Sequence, residues 1–444
     1  MTYAEAVSRL LALRGGEQAG MRPGLDRIEA LLDALGHPER QYSIIQVGGT
    51  NGKGSVAVMT AAILKTLGRR VGLYTSPHLC SFRERIRVNG RAIPEDDVVD
   101  GVEALGTLVA RLDATMFEAA TALALDHFAR EGVEWAVLEV GMGGRLDATT
   151  VGVPRASVIT RIDYDHQAFL GWRLEEIARE KAAIIRSGHA VAAAQVPEVV
   201  EILVGRAGEA GVPIWLHGRH LRVMVRARDL SGQRLDLSGP GWELSDCFVP
   251  LLGGFQAENA LLAVAAVKAL SAMDLQGDDR PVREGLARVS WPGRFEVIGR
   301  DPWVILDGAH NPAGAQAVAG ALEEYFPGSG KTLVVGISSD KDRAGILKAL
   351  LPVANRLILT ASSNPRATPP EELRALLPPS ESRVELASDV VQALSMALTP
   401  PVTPIICVTG SLFLVADMLR QAAGGRDIPC EVERGADSIK GLLR

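Results

Sequence analysis

The eight residues Gly48-Gly49-Thr50-Asn51-Gly52-Lys53-Gly54-Ser55 carry the clearest chemistry in the chain. They join a strand-like run at 43–47 (SIIQV) to a helical stretch at 55–67. Glycines in such a turn let backbone N–H groups approach phosphate oxygens, and the helix N-terminus behind them favours negative charge. Lys53 is placed to reach β- and γ-phosphates, and Ser55 a metal or a phosphate oxygen. The common GxxxxGK[ST] spacing is not met, because Val47 takes the first glycine position and Gly54 separates lysine from serine. A ligand-free βα turn is the plain alternative; a nucleotide is the sharper expectation.

Other residues that could do chemistry sit at the ends of predicted elements. Glu139 closes the run WAVLEV (135–140), where an acid on a neighbouring strand can face the phosphate loop. A buried strand glutamate without a partner is costly, which favours a bound cation over a packing role. His310 and Ser411 follow strand-like runs late in the chain, where open α/β sheets bind ligands, although either residue could simply cap a helix. Lys181 lies in a predicted helix at 174–185, where a solvated surface lysine is the default.

These residues are carried by an alternating pattern. Strands are predicted at 43–47, 71–75, 135–140, 156–160 and 189–195, with helices at 55–67, 117–130 and 174–185. Such alternation implies βαβ units and a mostly parallel sheet, as in P-loop-type α/β domains. Between about 221 and 250 the pattern becomes that of antiparallel hairpins, a small β subregion at the edge of this domain. A helix at 257–272 follows. The Ser290-Trp291-Pro292-Gly293-Arg294 stretch interrupts both periodicities and reads as a linker. Beyond it, strands at 303–306, 332–337, 356–360, 384–386 and 404–410 make a second, Rossmann-like doubly wound α/β unit. The expected division is 1–289 and 290–444.

The 444 residues suit two or three domains at the usual ~150 residues each. With 47% apolar and 23% charged residues the chain is globular, and a net charge of −6 argues against a nucleic-acid partner. Cys80, Cys247, Cys407 and Cys430 form no CxxC pair, so no disulfide or thiolate framework is expected. No apolar run approaches the ~18–20 residues of a membrane span, and the N-terminus lacks a signal-peptide pattern. A cytoplasmic protein without a membrane partner is expected.

GGTNGKGS, followed by TSPHL, resembles the folylpolyglutamate synthase/dihydrofolate synthase family of Mur-type ligases. FEAAT (117–121), EVGMGGRLDATT (139–150), DYDHQAFLG (163–171), IAREKAAII (177–185), GGFQAENA (253–260), PGRFE (292–296), DGAHNP (307–312) and VTGSLFLVAD (408–417) agree in order. The resemblance spans about 21 to 418 and implies an ATP-dependent ligase joining L-glutamate to dihydropteroate, to folates, or to both. ATP would phosphorylate the acid, and the amine would displace phosphate from the acyl phosphate. Phosphorylation supplies a leaving group to an otherwise poor electrophile, so the protein mainly positions groups and neutralises charge.

The resemblance assigns roles by position. Thr50, Asn51, Gly52, Lys53, Gly54, Ser55, Asn259, Arg294 and Asp307 would contact ATP. Ser76, Glu139 and His166 would hold Mg²⁺, and Lys181 would be carbamylated, with Lys53, Lys181 and His310 at the chemistry. Capture of CO₂ needs a neutral amine, so the surroundings of Lys181 must lower its pKa. Thr115, Met116, Phe117, Glu118, Leu146, Asp147 and Ala148 would meet the pterin side, and His310 and Ser411 the glutamate. Phe117 also reads as plain core. Residues 21–27 and 115–118 would decide whether a dihydropteroate pocket exists, and the bifunctional enzyme is the favoured reading. Phe255 stands where the family usually has histidine, leaving only stacking in its place. A monomer is expected, since two domains can close one site. A peptidoglycan-precursor ligase is disfavoured by Ser76-Pro77-His78 and by only 47 residues before Gly48. An inactive nucleotide-binding module is disfavoured by the presence of Glu139, Lys181, Asp307 and His310 together.

Overall fold

The computed structural model describes residues 1–14, 22, 24–271 and 278–422. Ala272, Cys430, Met21 and Pro23, on which parts of the sequence reading fall, lie outside these. Eight strands form the first sheet: β1 (Ser43–Gly48), β2 (Val71–Tyr74), β3 (Ile86–Val88), β4 (Arg91–Ala92), β5 (Trp135–Glu139), β6 (Pro154–Ile159), β7 (His189–Ala192) and β8 (Ile214–Leu216). Their order is β4-β3-β2-β5-β1-β6-β7-β8. Six run parallel, while β3 and β4 continue the β2 edge antiparallel. β1 is buried on both faces, as befits a central parallel strand, and its one buried polar side chain, Gln46, donates to Thr149 and Thr150.

Register lines up the chemistry. Val47 sits opposite Glu139 and Gly48 opposite Ile159, so the phosphate loop, Glu139 and the segment after β6 emerge side by side. This is the carboxyl edge of the sheet, where α/β folds bind ligands. The helices Lys53–Thr66 and Phe255–Ser271 pack together behind it. Both are apolar almost all round, as interior helices are.

The predicted hairpins are β9 (Arg222–Asp229), β10 (Gly232–Gly239) and β11 (Trp242–Val249). They form a separate antiparallel sheet rather than an extension of the first. Leu235, Leu237, Leu244, Cys247 and Val249 turn inward into the core shared by those two helices. Cys247 and Cys407 are free and buried, but Cys80 is disulfide-bonded, contrary to the sequence expectation.

The second sheet contains β12 (Glu296–Arg300), β13 (Trp303–Leu306), β14 (Lys331–Val335), β15 (Arg356–Leu359), β16 (Val384–Leu386) and β17 (Ile405–Thr409), ordered β12-β13-β17-β14-β15-β16. β12 runs antiparallel and was not anticipated: only partly buried at an edge, it lacks the continuous apolar run of the others. β13, β17 and β14 are parallel neighbours. Their carboxyl ends therefore bring Asp307–His310, Ser411 and Ser338–Lys341 to one edge of the sheet. Among the described residues no helix is long and apolar enough to cross a membrane.

Candidate active site

The phosphate loop is shaped by what its glycines admit. Gly49 has φ +133°, and a Cβ there would lie 2.0 Å from Thr160 Oγ1. Gly52 caps the helix Lys53–Thr66 at φ +94°, and a Cβ there would lie 2.5 Å from Asn259 Oδ1. At Gly54 a Cβ would meet the Trp291 ring at 2.9 Å. The loop is thus pressed against β6's exit, the helix Phe255–Ser271 and the linker at once. Gly49→Ala is expected to displace the loop and raise the KM for ATP by about tenfold or more, at some cost in stability, in steady-state assays and melts.

Inside the loop, Lys53 Nζ donates to Thr50 O at 2.9 Å. Burial lowers its pKa, against the opposing charges of Glu139 and Asp165. Ser55 is buried, and its hydroxyl accepts from Gln256 at 3.4 Å, while Gln256 in turn accepts from Asn259 at 2.9 Å. Lys181 does not face solvent. It is 4% exposed, and its Nζ donates to Gly49 O at 2.8 Å. Burial, helped by the nearby Lys53 charge, lowers its pKa to about 7.

Glu139 is buried, and its one hydrogen-bond donor among the described residues is the Ser76 backbone N–H, at 3.0 Å. Burial raises its pKa against the attraction of Lys53, Arg294 and Arg85. His166 follows β6, and burial lowers its pKa to about 3 in spite of Asp165, leaving a neutral ring whose Nε2 lies 3.4 Å from Lys341 Nζ. One under-partnered carboxylate, the Ser76 hydroxyl and a neutral imidazole suit a magnesium ion that takes its other ligands from water and phosphate. Among the described residues no group of three or more His, Cys, Asp or Glu could form a denser metal cluster.

The second domain meets this edge through His310 and Asn51 and through Asp165, Asn311 and Lys341, which the sequence reading did not single out. Asp165, its side chain 9% exposed, takes Lys341 Nζ at 2.7 Å, Asn311 Nδ2 at 3.3 Å and the His166 N–H at 2.8 Å. His310 Nε2 lies 3.6 Å away, oriented by an Nδ1–H bond to Gly308 O at 2.9 Å. Burial pushes the Asp165 pKa up, yet His310, His166 and Lys341 together hold it well below the usual range. Asn51 of the phosphate loop and Asn311 exchange amide hydrogen bonds at 3.2 and 2.9 Å. The only sequence hint for Asp165 was its place beside His166 in DYDH.

Asp307 spends its carboxylate on the N–H groups of Phe295 and Ala309, both at 2.7 Å, which orders the loop carrying His310. Arg294 packs over Gly308, where a Cβ would lie 2.5 Å from its Nη1. Burial lowers its pKa, opposed by the charges of Asp307 and Glu139. Ser411 is buried, and its hydroxyl accepts the Phe413 N–H at 3.1 Å. Phe255 packs against the apolar core of the second domain.

On the remaining wall several polar residues build the backbone. Thr115 and Glu118 form a reciprocal cap on the helix Met116–Arg130, and Arg27 pairs with Glu118 at 2.8 Å. Asp147 accepts from the N–H groups of Met142 and Thr149 at 2.9 and 3.0 Å, folding the loop that presents Leu146 and Ala148. Phe117 fits against Gly141, where a Cβ would lie 2.6 Å from its ring. Together the two domains line a cleft of about 300 Å³ that takes in Ser76, Phe117, His166, His310, Lys341 and Ser411.

Residues 47–267 match the Mur ligase middle domain, and 293–412 match the Mur ligase glutamate ligase domain. A dihydrofolate synthase/folylpolyglutamate synthase of Mycobacterium tuberculosis is 41% identical over 373 residues, 79% of this chain and 77% of that protein. The chain belongs to the dihydrofolate synthase/folylpolyglutamate synthase family. The Bacillus subtilis member is 32% identical over 92% of this chain and 97% of its own. In three dimensions the family likeness is as extensive. Mycobacterium tuberculosis folylpolyglutamate synthase complexed with ADP and AMPPCP superposes with a TM-score of 0.86 at 37% identity, covering 96% of this chain and 99% of that one. Escherichia coli FolC in complex with DHPP and ADP gives 0.86 at 30% identity, covering 96% and 98%. As a family member the chain is an ATP-dependent, amide-bond-forming ligase.

Proposed function

We propose that this ligase adds L-glutamate both to dihydropteroate and to the glutamate tail of folates. The supporting observation is a cleft whose apolar wall at Phe117 faces His310, Lys341 and Ser411, next to the sheet edge where the phosphate loop and the buried Glu139 emerge together. An acceptor carboxylate oxygen attacks the γ-phosphorus of ATP, and ADP leaves. The glutamate amine then attacks the acyl carbon, the carbon–oxygen bond to phosphate breaks, and the nitrogen gives up its surplus protons. Loop N–H groups and Lys53 offset charge on the phosphates, and Arg294, under the influence of the Asp307 and Glu139 charges, brings a second cation from the linker. Glu139, Ser76 and His166 are the residues we assign to Mg²⁺, which when bound would offset charge on the transferred phosphoryl oxygens.

The Asn51–Asn311 and Asp165–Lys341 contacts tie the nucleotide edge to the amino-acid edge, so closure aligns the two reactants. Lys181, buried and with a pKa near 7, is the residue we assign to carbamylation. One chain supplies the whole cleft, which supports a monomer, and dependence on ATP supports a cytoplasmic location. The bifunctional names of the Mycobacterium and Bacillus relatives support both acceptors. Phosphate release from ATP with Mg²⁺ and L-glutamate, offering dihydropteroate and tetrahydrofolate separately, tests the proposal. Turnover with both acceptors is expected; turnover with one alone restricts the chain to that branch, and turnover with neither rejects the assignment.

A further inference from the structure

The second-domain wall of the cleft contains a guanidinium that the scheme above leaves unused. Arg366 lies in Asn364-Pro365-Arg366, on the loop after β15. Its backbone is fixed from both sides: its N–H donates to Asn364 Oδ1 at 3.0 Å, and its carbonyl accepts from Ser339 at 2.8 Å. Its neighbour Ala367 bridges to Ser338. The side chain is 19% exposed and lies with its Cζ 5.1 Å from the centre of the Phe413 ring. Nε is enclosed and has no hydrogen-bond acceptor. The acid beside it, Asp340, approaches Nη1 only to 3.6 Å, beyond hydrogen-bonding distance.

An arginine fixed over an aromatic face with unused donors is suited to a planar oxyanion, which it can grip through two parallel N–H bonds. An enclosed donor without a partner costs about 1–3 kcal/mol, a cost that a bound acceptor removes. The phosphates are handled on the opposite wall by the loop and Lys53. Lys341, the other long cation of the second domain lining the cleft, is already neutralised by Asp165 at 2.7 Å. Two anionic reactants remain: the reacting carboxylate of the acceptor must meet the γ-phosphate on that opposite wall, which leaves for Arg366 the incoming amino acid with its two carboxylates. We infer that Arg366 receives one carboxylate of L-glutamate and so sets specificity for the amino acid that is added. Asp340, beside it, is placed to exclude a second anion and to hold the guanidinium until substrate arrives. This inference rests on the proposed glutamate ligation.

The test compares wild type with Arg366→Gln and Arg366→Lys, using apparent KM values for L-glutamate, ATP and dihydropteroate. Losing the fork is expected to raise the glutamate KM roughly 10- to 150-fold in Arg366→Gln, with the other two KM values within about threefold of wild type. Arg366→Lys keeps the charge without the fork and is expected to fall between. L-Glutamine, neutral at the side chain, and L-isoglutamine, neutral at the α-carboxyl, identify which carboxylate is held: the variant stops discriminating against the one lacking it. A folded Arg366→Gln or Arg366→Lys with an unchanged glutamate KM overturns the inference. So does a glutamate KM that rises only in step with that for ATP, or unchanged discrimination against both amides. Should Arg366→Gln fail to fold, Arg366→Lys alone decides on the same criteria. A wild-type chain with no glutamate-dependent turnover overturns the proposed function itself, and this inference falls with it.

Discussion

Glu139→Ala is expected to lower ATP-dependent ligation by at least about 10³-fold, roughly 4 kcal/mol of transition-state stabilisation, while leaving the fold intact. The two halves of this expectation have one cause. Glu139 is 5% exposed at the end of β5, with the Ser76 N–H as its donor, and burial raises its pKa. An acid whose folded pKa is raised contributes stability that is present below its unfolded pKa and lost as pH rises through the folded one. As pH rises through that range the ionising carboxylate therefore becomes a burden on the unliganded fold, offset in part by Lys53, Arg294 and Arg85 and further when a cation binds. Removing it should leave the melting temperature equal to or above that of wild type in chelator, and the gap should widen as pH rises above the ordinary glutamate range. Phosphate release and thermal melts measured together decide the matter. Turnover within about tenfold of wild type would remove Glu139 from the metal assignment.

What the sequence disclosed and what it withheld follow a physical division. The phosphate loop was legible because strand, turn and helix are consecutive, so 43–55 contains its own geometry. Glu139 was legible because parallel strands share a carboxyl edge, and β5 does lie beside β1. Asp165 was not, because its meaning comes from Lys341, 176 residues away, and from Asn311 and His310 across the cleft. Thr115 and Glu118 show a different difficulty. Their spacing fits a reciprocal helix cap as well as a ligand contact, and the structure places their hydrogen bonds in the cap. Asp147 and Asp307 likewise spend their oxygens on nearby N–H groups, a local use that family likeness conceals. The helix Glu95–Leu112 was missed although Val98, Val102, Leu105 and Val109 recur at helical spacing. Gly101 weakens its propensity, and packing requires that glycine: a Cβ there would lie 2.1 Å from Leu123.

Lys181→Ala is expected to cost about 10²- to 10³-fold in kcat, with partial recovery by short carboxylates such as formate or acetate. The unmodified side chain is a cation enclosed near a second cation, since Lys53 helps burial lower its pKa to about 7. Carbamylation would replace that repulsion with attraction: the nitrogen would keep one N–H for the Gly49 carbonyl, now accepting Lys181 at 2.8 Å, and the added group would carry negative charge within reach of the Lys53 field. Added carboxylate in the alanine variant restores the anion but not its tether, so recovery should be partial and saturable. The wild-type pH profile gives an independent measure. Reaction with CO₂ requires the neutral amine, about half the population at pH 7 and about a tenth one unit lower, so carbamate formation should slow about fivefold over the first unit below that point and approach tenfold per unit further down. In CO₂-depleted protein, bicarbonate-dependent recovery of activity should follow the same curve, and a ¹³C-labelled carbamate signal should disappear in Lys181→Ala. An alanine variant that works at wild-type rate without added carboxylate would leave Lys181 only its hydrogen bond to the loop. A variant that is inactive and cannot be rescued, with no carbamate signal in wild type, would assign the amine itself to holding Gly49 in place.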